Sequence, residues 1–314
     1  MHARRLIAMG AILALFAVLY MVLGAKGNWN FILPFRATKL AALLLVAVAV
    51  STATVLFQTI TQNRILTPSI MGFDALYVLI LTVAVFVLGG QGLIRLPPLA
   101  VYGVNTVMLV LASLLLFGTL LAGARQDLMR MVLTGIIFGA LFRSLTAFLQ
   151  RMIDPNEYAV VQVSSYARFT QINTDLLLIS TILTLLTLGF VWRMRHRLDV
   201  LALGPDMATG LGERPRRGQI EALILIAVLV SVSTALVGPI AFLGLLVVSL
   251  ARLITPTAQH AVLLTSAALI SCIVLVGGQM VSERVLFLAA PLSVVIDFIG
   301  GFVFLALLLK GTRR

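Results

Sequence analysis

Ten apolar runs make up most of this 314-residue chain, at about 6–23, 40–57, 75–89, 100–122, 132–149, 174–192, 219–237, 240–254, 261–281 and 285–309. A helix needs about 20 apolar residues to cross the hydrocarbon core of a bilayer. Inside that core only helices and closed barrels satisfy their own backbone hydrogen bonds. Barrel strands alternate polar and apolar residues over roughly ten positions, whereas Leu40–Val50 is unbroken. The sequence therefore predicts an all-α polytopic membrane protein of about ten transmembrane helices. Charged residues make up 11% of the chain, against about 25% in a soluble domain. That excludes a soluble enzyme, a disordered chain and a nucleic-acid-binding domain. No polar stretch is long enough for a second domain, so residues 1–314 are expected to form a single transmembrane domain. The opening MHARR and the apolar run after it look like a signal peptide. The run extends from residue 6 to 23, longer than the roughly 7–15 residues of a signal core, and is read as a retained first span. Run eight is short, and run ten is interrupted by Pro291 and the pair Gly300-Gly301.

The net charge of +12 matches the excess of Lys and Arg in cytoplasmic loops. With the N-terminus inside, Arg4 and Arg5 are cytoplasmic. So are the arginines between runs six and seven (Arg193, Arg195, Arg197, Arg214, Arg216, Arg217) and the C-terminal Lys310, Arg313 and Arg314. Ten spans place both termini in the cytoplasm. Arg36, Lys39 and Arg284 fall outside, against this rule. Arg36 and Lys39 are three residues apart and share one helical face. By topology alone they are headgroup anchors or a docking site.

Chemistry is sparse. The sequence has no Ser–His–Asp arrangement of plausible placement, no H-E-x-x-H, no dinucleotide-binding glycine loop and no P-loop, so the chain is not expected to hydrolyse ATP. Its three histidines are scattered and its one cysteine, Cys272, has no partner. No metal site or cofactor is expected. Arg143 and Asp297 lie within spans, and Asp74 and Glu221 near span ends. Asp297 reads first as a structural partner for a neighbouring helix and second as a relay group. The hydroxyl clusters at 51–54, Ser144 with Thr146, and 231–234 favour helix packing over a polar path.

The connection at 193–217 reads RMRHRLDVLALGPDMATGLGERPRR. Apolar residues recur at three- and four-residue spacings, with glycines between them. This predicts two short helices with a turn at Gly204. Such helices suit lipid headgroups or a groove on a partner protein, and the residues alone leave both open.

Here the sequence resembles the permease subunits of iron-siderophore and cobalamin ABC importers. The family pattern L-x-L-G-x-x-x-A-x-x-L-G is matched by Leu201, Leu203, Gly204, Ala208, Leu211 and Gly212. VGPIAFLGLLVVSLAR at Val237–Arg252 is similar to a second family motif, with Val248-Ser249 in place of Pro-His. The basic opening of span two (Arg36 to Leu43) and the C-terminal Gly300–Leu305 are also similar. The stretch Asn63–Phe73 resembles the branch in which two different permease chains serve ferric catecholate-type siderophores.

The resemblance implies a permease subunit that moves a ferric siderophore across the bacterial cytoplasmic membrane. It implies a second, different permease chain, two ATP-binding cassette ATPases, and a periplasmic or lipoprotein substrate-binding protein. The loop at 198–212 would couple to the ATPase. Arg36, Lys39 and Arg284 would dock the binding protein, and the turn at Gln126–Met131 would carry the cytoplasmic gate. A stand-alone secondary transporter is the alternative. An intramembrane transferase lacks a convincing set of residues.

Overall fold

The computed structural model describes residues 2–24, 28–123, 128–170, 172–287 and 290–311. These are almost entirely helical: α1 (His2–Val22), α2 (Trp29–Ile60), a π-helical turn (Ser69–Phe73), α3 (Asp74–Leu88), α4 (Gly90–Arg95), α5 (Pro98–Gly123), α6 (Leu128–Gln150), α7 (Pro155–Ser164), α8 (Thr174–Leu201), α9 (Pro205–Gly210), α10 (Pro215–Val237), α11 (Leu243–Ile254), α12 (His260–Arg284) and α13 (Leu292–Gly311). Eight are long and apolar enough to cross a membrane, and Leu243–Ile254 and Leu292–Val303 are shorter apolar helices. The ten expected apolar segments are therefore present as helices.

Helices α2, α10 and α12 form the enclosed centre. α2 packs against α12, α10, α11 and α8. Several buried hydroxyls of this core bond within their own helices: Ser51 to the carbonyl of Ala47 (2.7 Å), Thr54 to Val50 (2.8 Å) and Ser233 to Val230 (3.0 Å). These bonds satisfy the hydroxyls without a partner from another helix. α1 and α6 are mostly uncovered, with Ile7, Leu15, Ile137 and Phe148 among the large apolar side chains left exposed. In water such a surface would drive aggregation. Against lipid it is the solvated face.

Several boundaries move from their expected places. The second span begins at Trp29 rather than near 40, because the Asn28 side chain caps it by accepting from the Asn30 N–H (3.0 Å) and Pro34 sits near its start. The third span starts with the π-helical turn, where Gly72 has φ +99° and lies against α6. A Cβ at Gly72 would come within 3.2 Å of the Gly139 backbone. Pro291 precedes the last helix instead of breaking it, and Gly300-Gly301 lie inside that helix. The eighth span is a half-helix. Gly238 (φ +101°) ends α10, and the chain runs without helix to Phe242. Non-helical backbone at membrane depth is tolerated only where protein covers it. The Phe242 N–H is satisfied by the Asp297 carboxylate at 3.0 Å. Asp297 is thus a structural partner whose carboxyl oxygen occupies an N–H that the start of α11 leaves free.

Candidate coupling and docking surfaces

The sixth span does not stop at residue 192. α8 continues as one helix to Leu201, so the first of the two expected short helices is the protruding end of a span. Only the second, α9, is separate. Gly204 caps its start with φ +100°, ψ 162°, and Pro205 occupies the first helical position, where a missing N–H costs nothing. At the other end Gly212 has φ +83°. Its N–H bonds the Thr209 carbonyl (3.0 Å), and the Glu213 N–H reaches back to Ala208 (2.9 Å). This is a Schellman cap, which requires a left-handed residue at that position.

The six motif residues divide by role. Leu201 is 5% exposed and Ala208 is fully buried, so these two fasten the loop to the bundle. Gly218 lies so close to Leu201 that a Cβ there would sit 2.7 Å from Leu201 Cδ1. Leu203 and Leu211 point away at 59% and 64% exposure, and Met207 between them is 67% exposed. Met207 and Leu211, four residues apart on α9 and its C-cap, share one side, and with Leu203 in the turn before it they form an exposed apolar knob beyond the membrane spans. Arg197 locks the base of this loop. Its guanidinium bonds Glu213 (Nη2–Oε1 2.7 Å) and Glu221 (Nη1–Oε2 2.5 Å), and Arg217 also holds Glu221 (2.9 Å). The Arg197 guanidinium holds the Glu213 carboxyl below the usual carboxylate range.

A second set of contacts ties the loop to the core. Asp199 Oδ1 accepts from the His260 backbone N–H (2.6 Å) and lies 2.7 Å from His260 Nδ1. His260 Nε2 lies 2.8 Å from the Thr59 hydroxyl. The inner ends of α8, α12 and α2 are thereby joined. Neither this bridge nor the Arg197 staple was foreseen. The acid–base pairs were visible in sequence, but their partners are 16 to 201 positions apart.

At the opposite end of the bundle, Arg36, Lys39 and Arg284 do converge. Arg36 Nη1 donates to the carbonyls of Tyr20 (3.1 Å), Met21 (2.9 Å) and Leu23 (3.0 Å), and Arg284 Nη2 also donates to Leu23. The two arginines thus satisfy the otherwise orphaned C-terminal carbonyls of α1. Lys39, 8% exposed, pairs with Glu283 at 3.4 Å, and Gln279 also bonds Glu283 (2.8 Å). Three cations face one carboxylate. The turn at Gln126–Met131 lies outside the described residues, apart from the backbone that begins α6. Among the described residues there is no group of His, Cys, Asp and Glu able to hold a metal ion.

The profile described as the FecCD transport family matches residues 5–310. The chain is 46% identical over 287 residues to the petrobactin import system permease protein YclO of Bacillus subtilis, covering 91% of each chain. It is 32% identical over 275 residues to the petrobactin import system permease protein FatC of Bacillus anthracis, covering 88% of this chain and 78% of that one. Its fold is similar to a metal-chelate type ABC transporter solved in an inward-facing conformation, with a TM-score of 0.83, 23% identity, and coverage of 99% and 100%.

Proposed function

The chain belongs to the FecCD transport family, and from that premise we propose that its cargo is a ferric siderophore of the petrobactin class, carried inward. It is a multi-pass permease subunit of an ABC importer in the inner membrane. ATP hydrolysis belongs to a separate ATPase, and a substrate-binding protein delivers the cargo. The observation that carries the cargo assignment is the 46% identity, over nearly the full length, to a petrobactin permease. Iron here is substrate, held by the siderophore's own donor atoms. The described residues offer no cluster to replace them.

The same reading extends to the finer assembly. The knob of Leu203, Met207 and Leu211 is the surface we assign to the ATPase cleft. Leu201, Ala208, Gly204 and Gly212 hold it in shape, and the basic flanks meet lipid headgroups. Two ATPases serve two permeases, this chain and a different paralogue. The corner of Arg36, Lys39 and Arg284 receives acidic side chains of the binding protein, with Arg36 and Arg284 the more accessible of the three. Support for this corner is its excess of positive charge on the side of the membrane where the positive-inside rule disfavours it.

The test is uptake of ferric petrobactin into proteoliposomes that contain the permease pair, with the binding protein supplied outside. Uptake should require both ATP and the partner ATPase. Uptake that proceeds without the ATPase would overturn the assignment in favour of a stand-alone secondary transporter.

A further inference from the structure

Arg143 is the one ionisable residue between Val132 and Gln150, the membrane-crossing part of α6. It lies nearer the outer end of the helix, within reach of headgroups. Its side chain turns the other way, toward the helix N-terminus, as Cα–Cβ geometry favours. A Cβ at Gly139 would lie 3.4 Å from Arg143 Nη1 and 3.6 Å from Nη2. Gly139 is midway between Leu128 and Gln150, so the charge sits at the middle of the span.

Nothing in the described part of the chain neutralises it. Arg143 is exposed and has no hydrogen bond or ion pair among the described residues. Ala140, Ser144 and Ala147, one turn or less away, are small and also exposed. α6 rests on the bundle through the π-helical turn, α3 and α5, with Gly135 and Gly139 packed against Met71 and Gly72. The side that carries Arg143 is uncovered. A guanidinium at the bilayer centre is costly against hydrocarbon, and such groups face a water-filled cavity or a charge partner.

We propose that Arg143 lines the translocation path and binds the anionic oxygens of the ferric chelate in transit. This rests on the cargo assignment above. The guanidinium presents a planar fork of donors that matches two adjacent oxygens. A catecholate or carboxylate ferric chelate offers such oxygens with net negative charge. The small, exposed residues beside Arg143 leave its guanidinium accessible to a ligand that must also depart.

Cys272 is the only cysteine in the chain and is 4% exposed, which gives a clean background for the test. In the assembled importer in nanodiscs, Arg143→Cys combined with Cys272→Ala is treated with a water-soluble charged methanethiosulfonate, with and without ferric petrobactin and the binding protein. Modification should occur, and the chelate should slow it several-fold. In uptake assays Arg143→Gln should lower kcat/KM about tenfold or more, the size of a lost charge-assisted contact, and Arg143→Lys, which keeps the charge but not the two-donor fork, should fall between Arg143→Gln and the unmodified importer. Absence of modification, or modification that the chelate leaves unchanged, overturns the proposal. So does full uptake by Arg143→Gln. Loss of the second permease from Arg143→Gln preparations also overturns it, by assigning the charge to subunit pairing. If the unmodified importer takes up no ferric petrobactin, the cargo assignment itself fails.

Discussion

Replacing Met207 with Asp separates the proposed coupling role of α9 from its folding. Fully burying a Leu or Met side chain is worth about 1.5–3 kcal/mol. Met207 remains 67% exposed, so a partner that covers it gains about 1–2 kcal/mol from this side chain. Losing that contribution weakens ATPase binding about 5- to 30-fold. An unpaired carboxylate driven into an apolar cleft weakens it further. The permease itself should hardly notice. Met207 is the third residue of α9, where unsatisfied N–H groups and the helix dipole favour an acid, and surface changes of this kind usually stay within about 0.5 kcal/mol. The assay pairs the Kd of the detergent-solubilised permease for its purified ATPase with thermal unfolding of the permease alone. A Kd within twofold of the unmodified value would refute the reasoning. The apolar knob would then belong to the membrane surface, and vesicle binding should fall instead.

Gly204→Val forces a branched side chain into a backbone region that is essentially glycine-only, at about 1–3 kcal/mol. ATP-driven uptake should be lost while the spans remain folded by circular dichroism, and Gly212→Val should behave alike. Arg36→Glu with Lys39→Glu should slow association of the binding protein at low salt, an effect that shrinks as salt screens it. Since Arg36 also holds the end of α1 and Lys39 pairs with Glu283, Arg36→Gln with Lys39→Gln serves as the control, and the salt-dependent part of the difference between the two double variants reads the reversed charge. His260→Ala removes a buried partner from Asp199 and Thr59 and should lower stability by about 1–3 kcal/mol, measured as a fall in Tm. Glu213 has its carboxyl lowered in the folded state. Its contribution is present above its unfolded value and is lost as pH falls through the folded one. Hydrogen exchange around 205–213 should therefore rise in acid below the usual carboxylate range, beyond the intrinsic pH dependence.

The parts of this fold written in local physics were legible in the sequence. Apolar runs gave the helices, because no other element satisfies a backbone in lipid. Glycine marked Gly204 and Gly212 because their positive φ admits little else. Features created by distant partners were not legible. RMRHRLD looks like a loop, yet it stays helical because Leu198 and Leu201 are buried and Arg197 finds Glu213 and Glu221. The π-helical turn exists because Gly72 meets Gly139 on another helix. Spacing placed Arg36 and Lys39 on one face but could not show that carbonyls of α1 occupy the Arg36 guanidinium. Asp297 was rightly read as a structural partner, though the group it serves, the N–H of Phe242, lies 55 positions away.

The contacts at the inner face bear on how a push on α9 travels. α8 is an unbroken helix of 28 residues, about 42 Å long at 1.5 Å per residue. Its inner end is pinned to α10 through Arg197 and Glu221, and to α12 and α2 through Asp199, His260 and Thr59. α9 is anchored to that end by the buried Ala208 and the narrow turns at Gly204 and Gly212. On the proposed coupling, a displacement of α9 would therefore be carried to α8 and to the enclosed centre of α2, α10 and α12. α6 lies outside this body and touches it through the π-helical turn, α3 and α5. Packed interfaces shift between discrete arrangements rather than deforming continuously. On the proposed coupling, the seam between the pinned body and the α3–α6 pair is where a rearrangement is expected, with Arg143 carried on the α6 side of it.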